Sequence, residues 1–239
     1  MMNFKNLNLI NPIIRAVTEA GYSRPTEIQY TAIPYILSGR DVAACAKTGA
    51  GKTAAFAMPI LQLLKRHTPD HKEIRTLILT PTPELAVQIE ENLKIYSKYL
   101  PLSLLSIYEG VSIGSQLAAL RKRVDVLVAT PGGLLDVENQ RHIDLSKIEL
   151  LVLDDADKML DMGLINHIKK ILNLASHRRQ NLLFSATMPG SLKYFAKTIL
   201  NNPVEIIVDP ASSVPQTVKL PDLKNIQPLV GNIMPARIS

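Results

Sequence analysis

Seven short runs of nearly unbroken apolar character punctuate the chain: Asp41–Ala46, Thr76–Thr80, Ser103–Tyr108, Val124–Ala129, Glu149–Asp154, Asn181–Ser185 and Val204–Val208. They do not alternate between apolar and polar, which is the signature of parallel strands buried on both faces. Between them lie stretches with helical spacing: Lys52–Arg66, Pro83–Lys98, Ile113–Arg121, Leu164–Leu174 and Gly190–Leu200. Strand and helix in alternation predict an α/β fold, a parallel β-sheet sandwiched by helices. In such sheets ligands gather beyond the carboxyl ends of the strands. The pattern stops near Asp209. From Pro210 to Ser239 there are five prolines and no sustained period, so residues 1–209 are expected to form one lobe and 210–239 a linker or tail.

Composition narrows the picture only slightly. The chain has 239 residues, 46% of them apolar and 20% charged, enough for a sizeable core. No apolar run reaches the roughly 18 residues needed to span a bilayer, and the first residues lack a charged-then-apolar signal pattern. A single cysteine, Cys45, excludes an internal disulfide and a cysteine-rich metal site. These features suggest a cytoplasmic protein without membrane association, expected to be a monomer. The net charge of +6 is compatible with a polyanionic partner, though many proteins carry as much.

The chemistry enters at Ala46-Lys47-Thr48-Gly49-Ala50-Gly51-Lys52-Thr53, which follows a buried strand and opens a helix. That is the context of a phosphate-binding loop. Gly49 and Gly51 let the backbone approach phosphates, and the N–H groups of the helix start point at the anion. Lys52 is placed to reach the β- and γ-phosphates, and the Thr53 hydroxyl to ligate Mg²⁺. Ala46 stands where the strict pattern has glycine. The run Leu151-Val152-Leu153-Asp154-Asp155-Ala156-Asp157 ends a second buried strand in acids. Asp154 is then the candidate metal anchor, the alternative being a solvated acidic turn.

With these motifs in order, Phe4 to about Thr217 resembles the DEAD-box family of ATP-dependent RNA helicases, of the bacterial RhlE type. The resemblance implies a RecA-like P-loop NTPase lobe that binds ATP or ADP with Mg²⁺, and RNA. Gly21-Tyr22-Ser23-Arg24-Pro25-Thr26-Glu27-Ile28-Gln29 resembles the adenine-reading Q motif, with Arg24 and Gln29 at the nucleotide and Phe4 stacking on the base. The Gln29 amide offers a donor and an acceptor that suit the adenine edge. Ser185-Ala186-Thr187 resembles the motif that couples hydrolysis to lobe closure, and its hydroxyls are expected to face Asp154 and Asp157. The same residues would also serve as a helix N-cap region before Pro189. Catalytic roles are thus implied for Lys52, Asp154, Asp155, Ser185 and Thr187. RNA contacts are implied for Pro81, Thr82, Gly110, Thr130, Pro131 and Gly132.

Four positions depart from the family pattern. Pro83 and Gly133 replace arginines of PTRELA and TPGRL, Glu109 replaces the first glycine of a Gly-Gly pair, and Asp155 replaces the glutamate of DEAD. Two arginines are lost and an acid is gained beside the expected phosphate path. The Asp155 carboxylate is pulled back by roughly 1.5 Å, one C–C bond. The family's second lobe carries arginine fingers in a string HRxGRxxR. Met188–Ser239 contains no such string and only one arginine, Arg237. Ala211–Thr217 resembles the interlobe linker. Two readings follow: an RNA helicase by descent with impaired turnover, or a non-catalytic lobe that only binds nucleotide and RNA. A third, a small-molecule kinase, is opposed by the Q motif, the Ser185–Thr187 motif and the Met159–Gly163 continuation of the acidic motif.

Overall fold

The computed structural model describes residues 2–65, 73–140, 143–175 and 179–208. All seven predicted strands form: β1 (Val42–Ala46), β2 (Thr76–Leu79), β3 (Leu104–Ile107), β4 (Val126–Ala129), β5 (Leu150–Leu153), β6 (Gln180–Ser185) and β7 (Val204–Val208). They make one sheet in the order β3-β4-β2-β5-β6-β1-β7, and every pairing is parallel. The predicted linker and tail, 210–239, lies outside the described residues.

Successive residues of the inner strands point to opposite faces, and both faces are covered. Val42, Ala44, Ile78, Val126, Val152 and Phe184 join one apolar core with α1 (Asn11–Glu19), α2 (Glu27–Leu37), α3 (Lys52–Lys65) and α4 (Pro83–Tyr96). Leu77, Leu79, Leu127, Leu151, Leu153 and Leu183 join the other with α6 (Pro131–Glu138), α7 (Ala156–Asp161), α8 (Ile165–Leu174) and α9 (Gly190–Ile199). Double coverage explains why the inner strands read as unbroken apolar runs. The edge strands depart from the expectation: β3 and β7 are largely half-buried or exposed, because each has a neighbour on one side only.

The hydrophobic period announces α3, α4, α5 (Ile113–Leu120), α8 and α9 but not α1, α2, α6 or α7. Prolines obscure three of these. Pro12 and Pro131 sit in the first helical turn, where a missing N–H costs nothing, and Pro34 lies inside α2. Asp41, read as the start of β1, lies just before it. Its carboxylate accepts hydrogen bonds from the Asn181 and Asn201 N–H groups at 2.8 and 2.7 Å, tying the amino ends of β6 and β7 to β1. Among the described residues no helix is long and apolar enough to cross a membrane.

The strand order sorts the motifs. The carboxyl ends of β5, β6 and β1 are consecutive and carry the acids, Ser185–Thr187 and the glycine loop. Those of β3, β4 and β2 are consecutive and carry the other motif residues.

Candidate functional site

The loop between β1 and α3 turns on two glycines in the left-handed region, Gly49 at φ +82° and Gly51 at φ +90°. A side chain there would be strained. At Gly51 a Cβ would also collide with the Gln29 amide. Gln29 is 1% exposed. Its Oε1 accepts from Thr26 N–H at 3.0 Å, and its Nε2 donates to the Gly51 carbonyl at 3.2 Å. Gln29 therefore does two local jobs, closing the first turn of α2 and bracing the loop. One N–H and one lone pair of its amide are left over by these two bonds. Lys47, Thr48 and Gly49 are exposed, Ala50 is half-buried and Ala46 is buried in β1. Arg24 is exposed. Phe4 is not the open stacking face expected of it: it is 4% exposed, because the short turn Phe4–Leu7 folds it with Leu7 into the core.

The acids lie across from this loop. Lys52 is buried, donates to the Ala46 carbonyl at 2.9 Å and sits 3.5 Å from Asp155 Oδ1. The other oxygen of Asp155 accepts from Lys158 Nζ at 2.6 Å. Asp155 is thus held between two ammonium groups. Its backbone is left-handed, φ +50° and ψ +48°, an unusual conformation for a residue other than glycine and one that aspartate tolerates better than most. Asp154 is buried, and its Oδ1 has no hydrogen-bond partner. Burial, and then the charge of Asp155, push its carboxyl up to about 7. An orphaned oxygen on a desolvated carboxylate suits a divalent cation, which would remove both costs. Thr53, half-buried on the first turn of α3, is the second candidate ligand. Among the described residues no group of three or more His, Cys, Asp or Glu side chains converges as a metal site, so such an ion would depend on Thr53, Asp154 and a ligand's own oxygens.

Ser185 and Thr187 were expected to face both Asp154 and Asp157. Both hydrogen-bond to Asp157, and the Ser185 hydroxyl itself donates to the Thr187 carbonyl at 2.6 Å. The Thr187 N–H and hydroxyl each donate to Asp157 Oδ2 at 2.8 Å, and the Asp157 N–H donates to Ser185 Oγ at 3.3 Å. Burial opposes ionisation of Asp157, but the Thr187 and Ser185 side chains outweigh it and its pKa falls below the usual value. These contacts fix the Asp157 carboxylate.

On the other half of the sheet, Thr82, three residues past β2, is the N-cap of α4, its Oγ1 accepting from Leu85 N–H at 3.4 Å. Pro83 takes the first helical position, so its replacement of arginine suits the helix start. Thr130 takes the corresponding position before α6, followed by Pro131, but makes no side-chain cap. Gly110 turns the chain after β3 at φ +86°. The expectation for Gly133 needs correction. It is buried, not turned toward a groove, and a Cβ there would lie 2.6 and 2.8 Å from the backbone Cα and C of Tyr108. The turn after β3 packs on the glycine, so an arginine cannot be restored there without moving that turn. Gly133→Ala is expected to cost about 1–3 kcal/mol by overpacking. Gly190→Ala, where a Cβ meets nothing within 4 Å and the backbone is not left-handed, is expected to be near neutral. Chemical denaturation of both variants checks this; equal stabilities would mean that the turn yields freely.

Comparison with known proteins decides the family. The description DEAD/DEAH box helicase matches residues 26–195, more than half of the chain. The chain belongs to the DEAD/DEAH box helicase family. It is 42% identical over 214 residues to the mouse (Mus musculus) protein named probable ATP-dependent RNA helicase DDX27, covering 89% of this chain and 28% of the relative. It is 42% identical over 211 residues to the DEAD-box ATP-dependent RNA helicase RhpA of Helicobacter pylori, covering 88% and 42%. Among solved structures it resembles a DEAD box protein from Methanococcus jannaschii, with a TM-score of 0.82 and 38% identity over 87% of this chain and 56% of that one. A hypothetical ATP-dependent RNA helicase from Sulfolobus tokodaii gives a TM-score of 0.76 at 38% identity, over 83% and 57%. The chain spans well under half the length of the curated relatives named here.

In this DEAD/DEAH box helicase domain the fold places the glycine loop, Lys52 and Thr53 after β1 and Asp154 and Asp155 after β5, two strand ends separated by β6. Two residues outside the motif reading also matter. Lys158 clamps Asp155, and their i,i+3 spacing at a helix start was a usable signal. Gln116 of α5 grips the turn after β3, accepting from Tyr108 N–H at 3.0 Å and donating to the Tyr108 and Val111 carbonyls at 3.2 and 3.4 Å. No sequence signal marks Gln116, because its partners are backbone groups.

Proposed function

We propose that the chain is the ATP-binding lobe of an RNA-dependent ATPase, holding ATP with Mg²⁺ at the ends of β5, β6 and β1 and single-stranded RNA at the ends of β3, β4 and β2. The observation that carries this reading is the approach of the loop lysine Lys52 to the acidic motif, with a buried, unpartnered Asp154 oxygen beside it. Asp154 and Thr53 would hold the ion, which supplies charge neutralisation of the phosphates. The spare N–H and lone pair of Gln29 match what an adenine edge requires. Backbone N–H groups of the loop and the Lys52 ammonium bind phosphate, and the Ser185–Thr187 segment keeps Asp157 ionised and fixed. The reading carries with it a monomer in the cytoplasm.

A second reading, a lobe that binds nucleotide but turns it over slowly, is favoured by the Asp155 clamp. A carboxylate engaged by Lys52 and Lys158 is poorly placed to hold a water. The first test covers both readings. ATP and ADP with Mg²⁺ are expected to raise the melting temperature, by about 2.7 kcal/mol of stability at a hundredfold excess over Kd, and GTP far less. Lys52→Ala is expected to remove the ATP shift. Equal stabilisation by GTP would end the role given to Gln29, and an undiminished ATP shift in Lys52→Ala would end the phosphate-loop assignment.

A further inference from the structure

Two of the four family departures meet in space. The turn after β3 lies across the start of α6. There the exposed Glu109 accepts a hydrogen bond from the Thr130 hydroxyl through one carboxylate oxygen. Its other oxygen lies against Gly132, where a Cβ would collide with it. The backbone of the same turn packs on Gly133, so the glycine at 133 is what allows the turn to sit so low. On its other side the turn is gripped by Gln116 through Tyr108 and Val111. Clamped from both sides, the Glu109 backbone presents its carboxylate at a fixed place.

That place is one that favours an anion. Thr130 makes no side-chain cap to α6, its hydroxyl being turned to Glu109, and Pro131 has no N–H. The first-turn N–H groups at Gly132 and Gly133 therefore have no capping side chain, and the positive end of the helix dipole adds to their pull. Thr130, Pro131 and Gly132 are also the residues that the proposed function assigns to RNA. A carboxylate with a hydroxyl donor and a helix start around it has the surroundings that an RNA phosphate would otherwise take.

We propose that Glu109 is a built-in competitor for the RNA backbone: its carboxylate holds the Thr130 hydroxyl and covers Gly132, so that RNA reaches this part of the groove only by displacing it. The inference rests on the RNA-binding reading above and names the residue that sets its affinity. Gly133 is the partner change that makes room for it. RNA binding at this lobe is therefore weak by construction, and an arginine cannot be put back at position 133 while the turn fills that place.

The test is titration of a fluorescent single-stranded RNA into the whole chain, by anisotropy, at several salt concentrations. Glu109→Gly and the isosteric Glu109→Gln are compared with Glu205→Gln, which removes an exposed acid from β7 at the far edge of the sheet. Glu109→Gly is expected to tighten binding about tenfold, the scale of one charge-assisted hydrogen bond that no longer has to be displaced. The slope of log K against log salt is expected to change by well under the roughly 0.7 of a new Lys or Arg contact, because the freed hydroxyl and N–H groups are neutral. Glu109→Gln is expected to show part of the gain, and guards against an effect of the glycine on folding. Glu205→Gln is expected to change affinity less than about twofold, as a distant, screened charge. Equal gains from Glu109→Gln and Glu205→Gln would overturn the proposal in favour of net charge alone. Unchanged affinity in both Glu109 variants would overturn it while leaving RNA binding intact. No RNA binding by any form at low salt would remove the RNA reading and this inference with it.

Discussion

Asp154→Asn is expected to raise the stability of the protein at neutral pH in the absence of divalent cations, and at the same time to abolish the stabilisation by ATP with Mg²⁺. The two signs come from one cause. Asp154 is buried with an unpartnered oxygen, and its carboxyl is pushed up to about 7 by burial and by Asp155. A carboxyl raised in the folded state costs the fold stability progressively across the pH interval in which the unfolded chain is ionised and the folded one is not. The penalty is absent below the ordinary value of 3.8, grows as the pH rises through the interval to about 7, and persists in full above it. Its size at pH 8 is on the order of a few kcal/mol. Asparagine has no charge to bury and escapes most of it. The same substitution removes the negative charge that the proposed ion would need, leaving only a neutral amide oxygen, so ATP with Mg²⁺ would leave the variant's melting temperature where it was. Thermal melts at pH 5 and pH 8, with and without Mg²⁺ and ATP, give the four measurements. A variant that is less stable than the parent at pH 8 without metal, and yet keeps its ATP shift, would remove Asp154 from the metal site.

Asp155→Glu is expected to raise ATP turnover by about 10-fold to 100-fold in a chimera that carries the second lobe of a family relative after Thr217. The added methylene carries the carboxylate roughly 1.5 Å further toward a water near the γ-phosphate. It also lengthens the arm by which Lys52 and Lys158 now hold the acid at 3.5 and 2.6 Å. In the 239-residue chain by itself the same change is expected to do little, because an arginine finger from a second lobe contributes about 10³–10⁵ in rate and acts on the same transition state. The gain belongs in kcat, with KM for ATP little altered. A chimera whose kcat does not respond to Asp155→Glu would show that the shorter acid is not what limits hydrolysis.

Gln29 and Gly133 illustrate two ways in which a motif position acquires a different local role. The sequence motif names one as an adenine reader and the other as a lost arginine. Only the fold reveals that Gln29 is buried against Gly51 as a brace of the phosphate loop, and that Gly133 carries the turn of Tyr108 and Glu109. Phe4 is a third case: an aromatic placed by motif order at the nucleotide is drawn into the core by the helical turn it begins. Burying that ring gains free energy whether or not a ligand is present.

What the sequence determines by itself is everything set by near neighbours along the chain. Strands covered on both faces must be apolar at every position, so β1, β2, β4, β5 and β6 announce themselves. The glycine loop works through the backbone of eight consecutive residues, Ala46 to Thr53, and so can be read directly. What only the tertiary structure decides is which strand ends stand side by side. The order β3-β4-β2-β5-β6-β1-β7 brings Lys52 to Asp155 across about a hundred residues, and lays the turn after β3 on the helix after β4. Hydrophobic periodicity encodes burial but not strand order. Order is settled by the packing of all the helices at once, and the contact of Glu109 with Thr130 was decided with it.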